Sequence, residues 1–298
     1  MKHSMKKTLL ALLLVMGMAL LAACGESNKE PVSSETPTTA SQGEQNNTED
    51  ANKEEDATTE DTATDAEAEK ELFVAVVTEA NNLDSFTIKM TADQTIDMAG
   101  EVMETKTVSD MDITMKPELA FKQLTKVEAA GVIQEVDSYF TADGFFVKDP
   151  ASDAWMKLPA EMMDQVLQGI NQESLDPSAQ LAQLVDFSES FAVEEKDGNY
   201  VFTLNAKGEE FNSLLTEQLG EQAAALGSFE VSAAEYVIVV EKSTNKLLKM
   251  DVFSDMKLQA EGQDMSIVST ITTEYSNHNG IEAIELPEAA LNAEEIQM

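Results

Sequence analysis

Cys24 is the only cysteine in the 298-residue chain. A cysteine thiolate is a strong nucleophile and the natural acceptor for covalent modification of sulfur. Cys24 follows Leu21, Ala22 and Ala23, and Gly25 comes next. Small residues on the N-terminal side suit a narrow protease cleft. Beyond Cys24 the means for other chemistry are scarce. Only one histidine follows it, His278, inside the turn-like stretch Asn277-His278-Asn279-Gly280. A Cys/His zinc site, a Cys–His pair and a disulfide framework are therefore excluded. Any Ser-His-Asp triad would have to recruit His278, and no nucleophile elbow, P-loop or dinucleotide fingerprint occurs. Ser243-Thr244-Asn245-Lys246 matches Ser-x-x-Lys, but it lies between two strand-like runs where these residue types make turns. Acid pairs such as Glu194/Glu195 and Glu209/Glu210 read as solvated surface. The chain is expected to be no enzyme and to need no cofactor and no metal.

Around Cys24 the context is that of a secretory signal. Lys2, Lys6 and Lys7 precede an uncharged, almost wholly apolar run from Leu9 to Ala23. Such a run is shorter than the ~20 residues that span a bilayer comfortably as a helix, which suits an export signal. Leu21-Ala22-Ala23-Cys24 resembles the lipobox of bacterial lipoproteins. That resemblance implies cleavage between Ala23 and Cys24 and a diacylglycerol on the Cys24 sulfur. Two acyl chains give a stable anchor, each buried methylene contributing about 0.8 kcal/mol. The expected location is the outer face of the cytoplasmic membrane, Gram-positive in type, with the membrane as partner through the lipid on Cys24.

Charge narrows the partners further. The chain carries 56 acids against 19 basic residues, all of them Lys. Loss of residues 1–23 removes three Lys and no acid, moving the formal net charge from −37 to −40. Nucleic-acid binding needs a basic footprint to release phosphate counterions, so it is excluded. Residues 25–70 hold 14 acids, three Lys and almost no large apolar side chain. Such a stretch cannot bury enough surface to offset chain entropy. It reads as a disordered tether, with a contour of roughly 160 Å at most. The expected organisation is a signal peptide over 1–23, lipidated Cys24 and tether over 24–70, and one folded domain over 71–298.

Within that domain the apolar period selects the elements. Leu72, Phe73, Val76, Val77 and Ala80 predict an amphipathic helix over Glu71–Leu83. Phe86, Ile88, Met90, Ala92, Ile96 and Met98 then alternate with polar residues, as in a half-buried strand. Further strands are predicted at 103–115, 119–127, 132–141, 144–148 and 155–158, with Asp143-Gly144 as a hairpin turn. Two helices follow. Met162, Met163, Val166, Leu167 and Ile170 stripe the first, and Asp176-Pro177 caps the second, which carries Leu181, Leu184 and Val185. Strands at 191–195 and 200–206 precede a helix over about 209–226. Long strands at 229–242, 247–260 and 265–275 end the domain, the middle one with Leu248, Met250, Val252, Met256 and Leu258 on one face. The predicted class is α+β and mainly antiparallel β: one large curved sheet, a half-barrel, with helices covering its concave face.

The run Tyr139-Phe140-Thr141-Ala142-Asp143-Gly144-Phe145-Phe146-Val147-Lys148, with Trp155-Met156-Lys157-Leu158, carries a wider resemblance. Glu274-Tyr275-Ser276-Asn277 and Ile284-Glu285-Leu286-Pro287 add to it. Over residues 71–298 the chain is similar to the LolA/LppX-like lipoprotein-carrier superfamily, in particular to Gram-positive lipoproteins of unassigned function. The resemblance implies an apolar cavity that holds acyl chains or other lipids. A lipidated chain departs from the carriers that must leave their donor membrane. Methionine points the same way, because its flexible, polarizable side chain suits adaptable apolar surfaces. The expected cavity lining is Met90, Met111, Met115, Met163, Leu167, Met250, Met256 and Met265, and the expected ligand is an apolar small molecule or lipid. The alternative is a non-catalytic envelope scaffold whose core is filled by its own side chains.

Overall fold

The computed structural model describes residues 60–98, 100–159, 175–206, 228–260 and 263–296. Helix α1 spans Glu60–Asn81. It starts earlier than the predicted Glu71 and takes in residues 60–70, which composition alone assigns to the tether. Ala and Glu, both strong helix formers, dominate that stretch and let the helix run on without an apolar face. Farther along, Phe73, Val76 and Ala80 are buried, as their spacing requires.

Strands β1 (Ser85–Met98), β2 (Glu101–Thr114), β3 (Ala120–Ala129), β4 (Val132–Thr141), β5 (Gly144–Lys148) and β6 (Trp155–Lys157) form one meander. A second consists of β7 (Ala192–Lys196), β8 (Asn199–Ala206), β9 (Ser228–Glu241), β10 (Leu247–Ala260) and β11 (Gln263–Ser276). The two join where β1 pairs antiparallel with β11, from Thr87 opposite Ser276 to Met98 opposite Met265. A two-residue strand β12 (Glu294–Glu295) adds in parallel to β6. The result is a single sheet of order β12-β6-β5-β4-β3-β2-β1-β11-β10-β9-β8-β7. A sheet this wide and twisted curls. Its inner, concave face packs on α1, on the short helix α2 (Pro177–Ala182) and on a 3-10 turn (Val185–Ser190).

Predicted and observed strands agree to within a few residues, and β10 coincides with the predicted 247–260. Asp176 caps α2 by accepting from the Ser178 amide at 2.8 Å. The β4–β5 loop consists of Ala142 and Asp143, and Gly144, at φ 130°, already pairs with Thr141. One face differs. A bulge between Leu247 and Lys249 shifts the phase of β10, so Leu247 is buried while Leu248 is only half-buried. The predicted helices at 162–170 and 209–226 lie outside the described residues. The C-terminal helix α3 (Glu288–Leu291) and β12 carry too few residues for any period to reveal them.

Candidate functional site

Alternation along each strand sorts the sheet into two chemically different faces. The outer face carries the charge. Lys106 pairs with Asp93, Lys126 with Glu135, and Lys249 with Asp251. Asp112 accepts from the Lys122 ammonium at 2.7 Å and from the Thr87 hydroxyl. Burial pushes the Asp112 carboxyl up, but those two partners outweigh it and hold it below the usual carboxylate range. The reverse holds at Asp137. Its burial, helped by the neighbouring Glu135 carboxylate, raises it against the pull of Lys148.

The inner face is built differently. On β1 it presents Phe86, Ile88, Met90, Ala92, Gln94 and Ile96, and on β2 Met103, Thr105, Thr107, Ser109, Met111 and Ile113, paired residue for residue. On β11 it presents Met265, Ile267, Ser269, Ile271, Thr273 and Tyr275, and on β10 Met250, Val252, Ser254, Met256 and Leu258. None of these side chains is Lys, His, Asp or Glu; the next inner pair, Met98 opposite Glu101 at the β1–β2 hairpin, brings in the one acid of these four strands' inner positions, and it is exposed.

Buried apolar residues on this face fall into two clusters. The large one runs from Phe121, Phe145 and Leu158, across Phe86, Ile113 and Met90, to Phe202, Leu204 and Ile238, under Phe73 and Val76 of α1. Rings pack closely at its helix-covered end: Phe73 stacks on Phe191 at 4.8 Å and meets Phe202 edge-on at 5.4 Å. The small cluster is Ile96, Leu258 and Ile267, flanked by half-buried Met103 and Met265. It lies at the other end of the long strands, beside the β1–β2 and β10–β11 hairpins.

Comparison with known families bears on this arrangement. A model described as a family of unknown function, DUF6612, matches residues 68–295. The chain belongs to this family. The DUF6612 match ends at the same strand, β12, that closes the sheet. No curated protein matches the chain in sequence. Among solved structures it is similar to LprF from Mycobacterium bovis, with 12% identity and a TM-score of 0.38 over 75% of this chain and 98% of that one. It is also similar to the lipoprotein LppX from Mycobacterium tuberculosis, with 13% identity and a TM-score of 0.37 over 74% and 99%. A lipoprotein-sorting protein domain of the outer membrane type from Vibrio parahaemolyticus gives 13% identity and a TM-score of 0.26 over 76% and 98%.

The predicted lining residues divide between the clusters. Met90, Met111, Met115 and Met250 are buried in the large one, and Met256 is half-buried against it. Met265 belongs to the small one. Met163 and Leu167 lie outside the described residues, as do Leu21, Ala22, Ala23 and Cys24. His278 holds no nucleophile. Its Nε2–H donates to the Leu247 carbonyl at 2.8 Å and helps pin the C-terminal segment to the sheet. Next to it, Asn279 ties that segment to the start of β1 by accepting from the Asp84 amide at 2.6 Å. Ser243 and Lys246 sit in the β9–β10 turn, where the Lys246 carbonyl accepts from the Glu241 amide at 2.9 Å. Among the described residues no group of three or more His, Cys, Asp or Glu could hold a metal ion, and no helix is long and apolar enough to cross a membrane.

Sequence reasoning passed over the polar residues of the inner face. Gln94 falls in the gap between Ala92 and Ile96, and Ser254 in the gap between Val252 and Met256. Those interruptions of the apolar alternation were the available signal.

Proposed function

We propose that this chain is a lipid-anchored extracytoplasmic lipoprotein that holds an apolar, lipid-like ligand against the concave face of its sheet. The observation that carries the proposal is the inner face of β1, β2, β10 and β11, which is rich in Met and, from Met103 onward on β2 and throughout the other three strands, free of charge in a chain with a formal net charge of −37. With so many acids available, holding this face to a single one, Glu101 at the exposed hairpin end of β2, makes the rest of it a surface for apolar matter. Methionine adapts its shape to acyl chains of differing geometry. Burying acyl surface supplies affinity at roughly 25 cal/mol per Å². The anchor is the diacylglycerol on Cys24, and the acidic tether holds the domain off an outer membrane surface of Gram-positive type. No catalytic step and no cofactor enter this reading.

Two experiments test it. The chain beginning at residue 25 retains α1, all twelve strands and every described core residue, so it keeps the fold. It should bind an environment-sensitive acyl probe saturably, near one probe per chain. A linear, non-saturating response means instead that the protein's own side chains fill the interior, and the chain is then a scaffold. For the anchor, Cys24→Ala in the full chain should abolish processing or release the protein from membranes. Unchanged cleavage and membrane retention would contradict the lipobox reading.

A further inference from the structure

A polar stripe crosses the inner face between the two clusters on β1 and β11, while on β9 and β10 the large cluster reaches past it through Val231 and Met256. The stripe begins at Ser138 on β4, opposite Gln123 on β3. One residue pair farther along the strands, Thr125 lies opposite Ser109 on β2. After Thr107 the stripe reaches Thr105 opposite Gln94, then Ser269 on β11 and Ser254 on β10. It therefore advances along the strands as it passes from β4 to β1, following the diagonal of the curled sheet.

The two ends of the stripe differ in hydrogen bonding. At the β3 end the groups satisfy each other: Gln123 Nε2 donates to Ser109 Oγ at 2.9 Å, and Ser109 and Thr125 share a bond of 3.3 Å. At the β11 end Ser269 is 3% exposed and its Oγ has no partner. A buried hydroxyl left unpaired is costly, and proteins rarely keep one without a use for it.

We propose that Ser269, with Gln94 and Ser254 beside it, is a subsite for an uncharged hydrogen-bonding group of the ligand, an ester, amide or hydroxyl with apolar arms on either side. One arm lies along Ile96, Leu258 and Ile267, the other over Met90 and Met250. This rests on the reading that the inner face takes an apolar ligand, and it adds the ligand's class. The partner group is neutral because the inner positions of β1, β2, β10 and β11 offer it no cation. A buried carboxylate or phosphate there would have no counter-charge. It is polar because Ser269 Oγ–H has a proton to donate and nothing on the protein accepts it. A pure hydrocarbon would leave that hydroxyl unpaired.

The test uses the chain beginning at residue 25 loaded with the acyl probe. Dodecane, methyl dodecanoate and, at pH 8, dodecanoate are delivered from cyclodextrin as competitors. In Ser269→Ala the competing strength of methyl dodecanoate should fall about three- to tenfold, the weight of one hydrogen bond, while that of dodecane stays unchanged. Ser254→Ala should lower it less. Dodecanoate should compete less well than its methyl ester in the parent protein. Because the Ser269 hydroxyl makes no bond in the fold, Ser269→Ala should melt at the same temperature or higher, which separates lost binding from lost structure. The subsite is overturned if Ser269→Ala weakens ester and alkane alike or neither, or if the anion matches the ester. In those cases the probe still binds and the wider ligand reading stands. Failure of the probe to bind the parent protein overturns both.

Discussion

The two apolar clusters share four long strands yet are built from different side chains. The large one is closed by aromatic rings and by α1, with Phe73 fully buried between Phe191 and Phe202. Among the side chains described, the small one holds no ring: three aliphatic residues with half-buried Met103 and Met265 packed against them. Ring stacking with defined geometry stabilises one arrangement. Methionine beside short aliphatic chains tolerates several. On the proposed reading one sheet divides its inner face: the ring-packed part under α1 holds the fold, and the part from Met90 and Met250 across the Ser/Thr/Gln stripe to the small cluster receives the guest.

Phe73→Ala should give the largest effect. It removes a fully buried ring that couples α1 to β8 and to the residue following the 3-10 turn, and should cost about 3–5 kcal/mol in denaturant unfolding. The fraction that stays folded should bind the acyl probe with an affinity changed by less than about threefold, the factor expected of a site not directly touched. A tenfold loss would mean the guest lies under α1 instead and would erase the division.

Ile267→Ala should shift the balance the other way. The small cluster should lose about 2 kcal/mol, the low end for a buried aliphatic truncation. Probe affinity should fall about tenfold, the value of roughly 50 Å² of lost apolar contact. Loss of stability with unchanged affinity would make the small cluster an ordinary piece of core.

The outer face supplies the smallest effects and a control of opposite sign. Asp112 titrates below the usual carboxylate range in the fold, so its charge adds stability above the unfolded carboxyl value, and this is lost as pH falls through the folded value. Asp112→Asn should therefore destabilise at pH 7, and the difference should vanish in acid. Asp137 is raised, so its ionised form costs stability once pH climbs past the folded value. Asp137→Asn should stabilise slightly at pH 7, and that gain should disappear below the unfolded carboxyl value. Both changes should stay below about 1 kcal/mol, because these partly exposed groups are screened by solvent. Neither should alter probe affinity. Equal signs for the two variants in a pH series of unfolding curves would show that the charge pattern of this face is misassigned.

Much of the fold was legible because its strands are long. Fourteen residues of period two, as in β1, β2 and β11, leave little doubt about face or register. Legibility failed where a local device overrode the period. The bulge after Leu247 moved the buried position from Leu248, and a two-residue strand such as β12 has no period to read. The site was legible in part. Methionines on strand faces could be named from alternation, and five of the eight predicted lining residues meet in the large cluster. The separation of Met90, Met111, Met115 and Met250 from Met265 could not be read, since it depends on Gln94, Ser254 and Ser269 falling into adjacent register across three strands. In each strand alone that polar residue is only a missed beat. The order of the sheet, which puts β1 beside β11, turns the beats into a stripe.

Native mass spectrometry of the protein purified from its own envelope tests the central claim most directly. The account predicts a species heavier than the processed chain and its covalent lipid by the mass of one further neutral lipid, lost on denaturation. A protein carrying its covalent modification and nothing more, unchanged in mass by incubation with lipid extract, would contradict it.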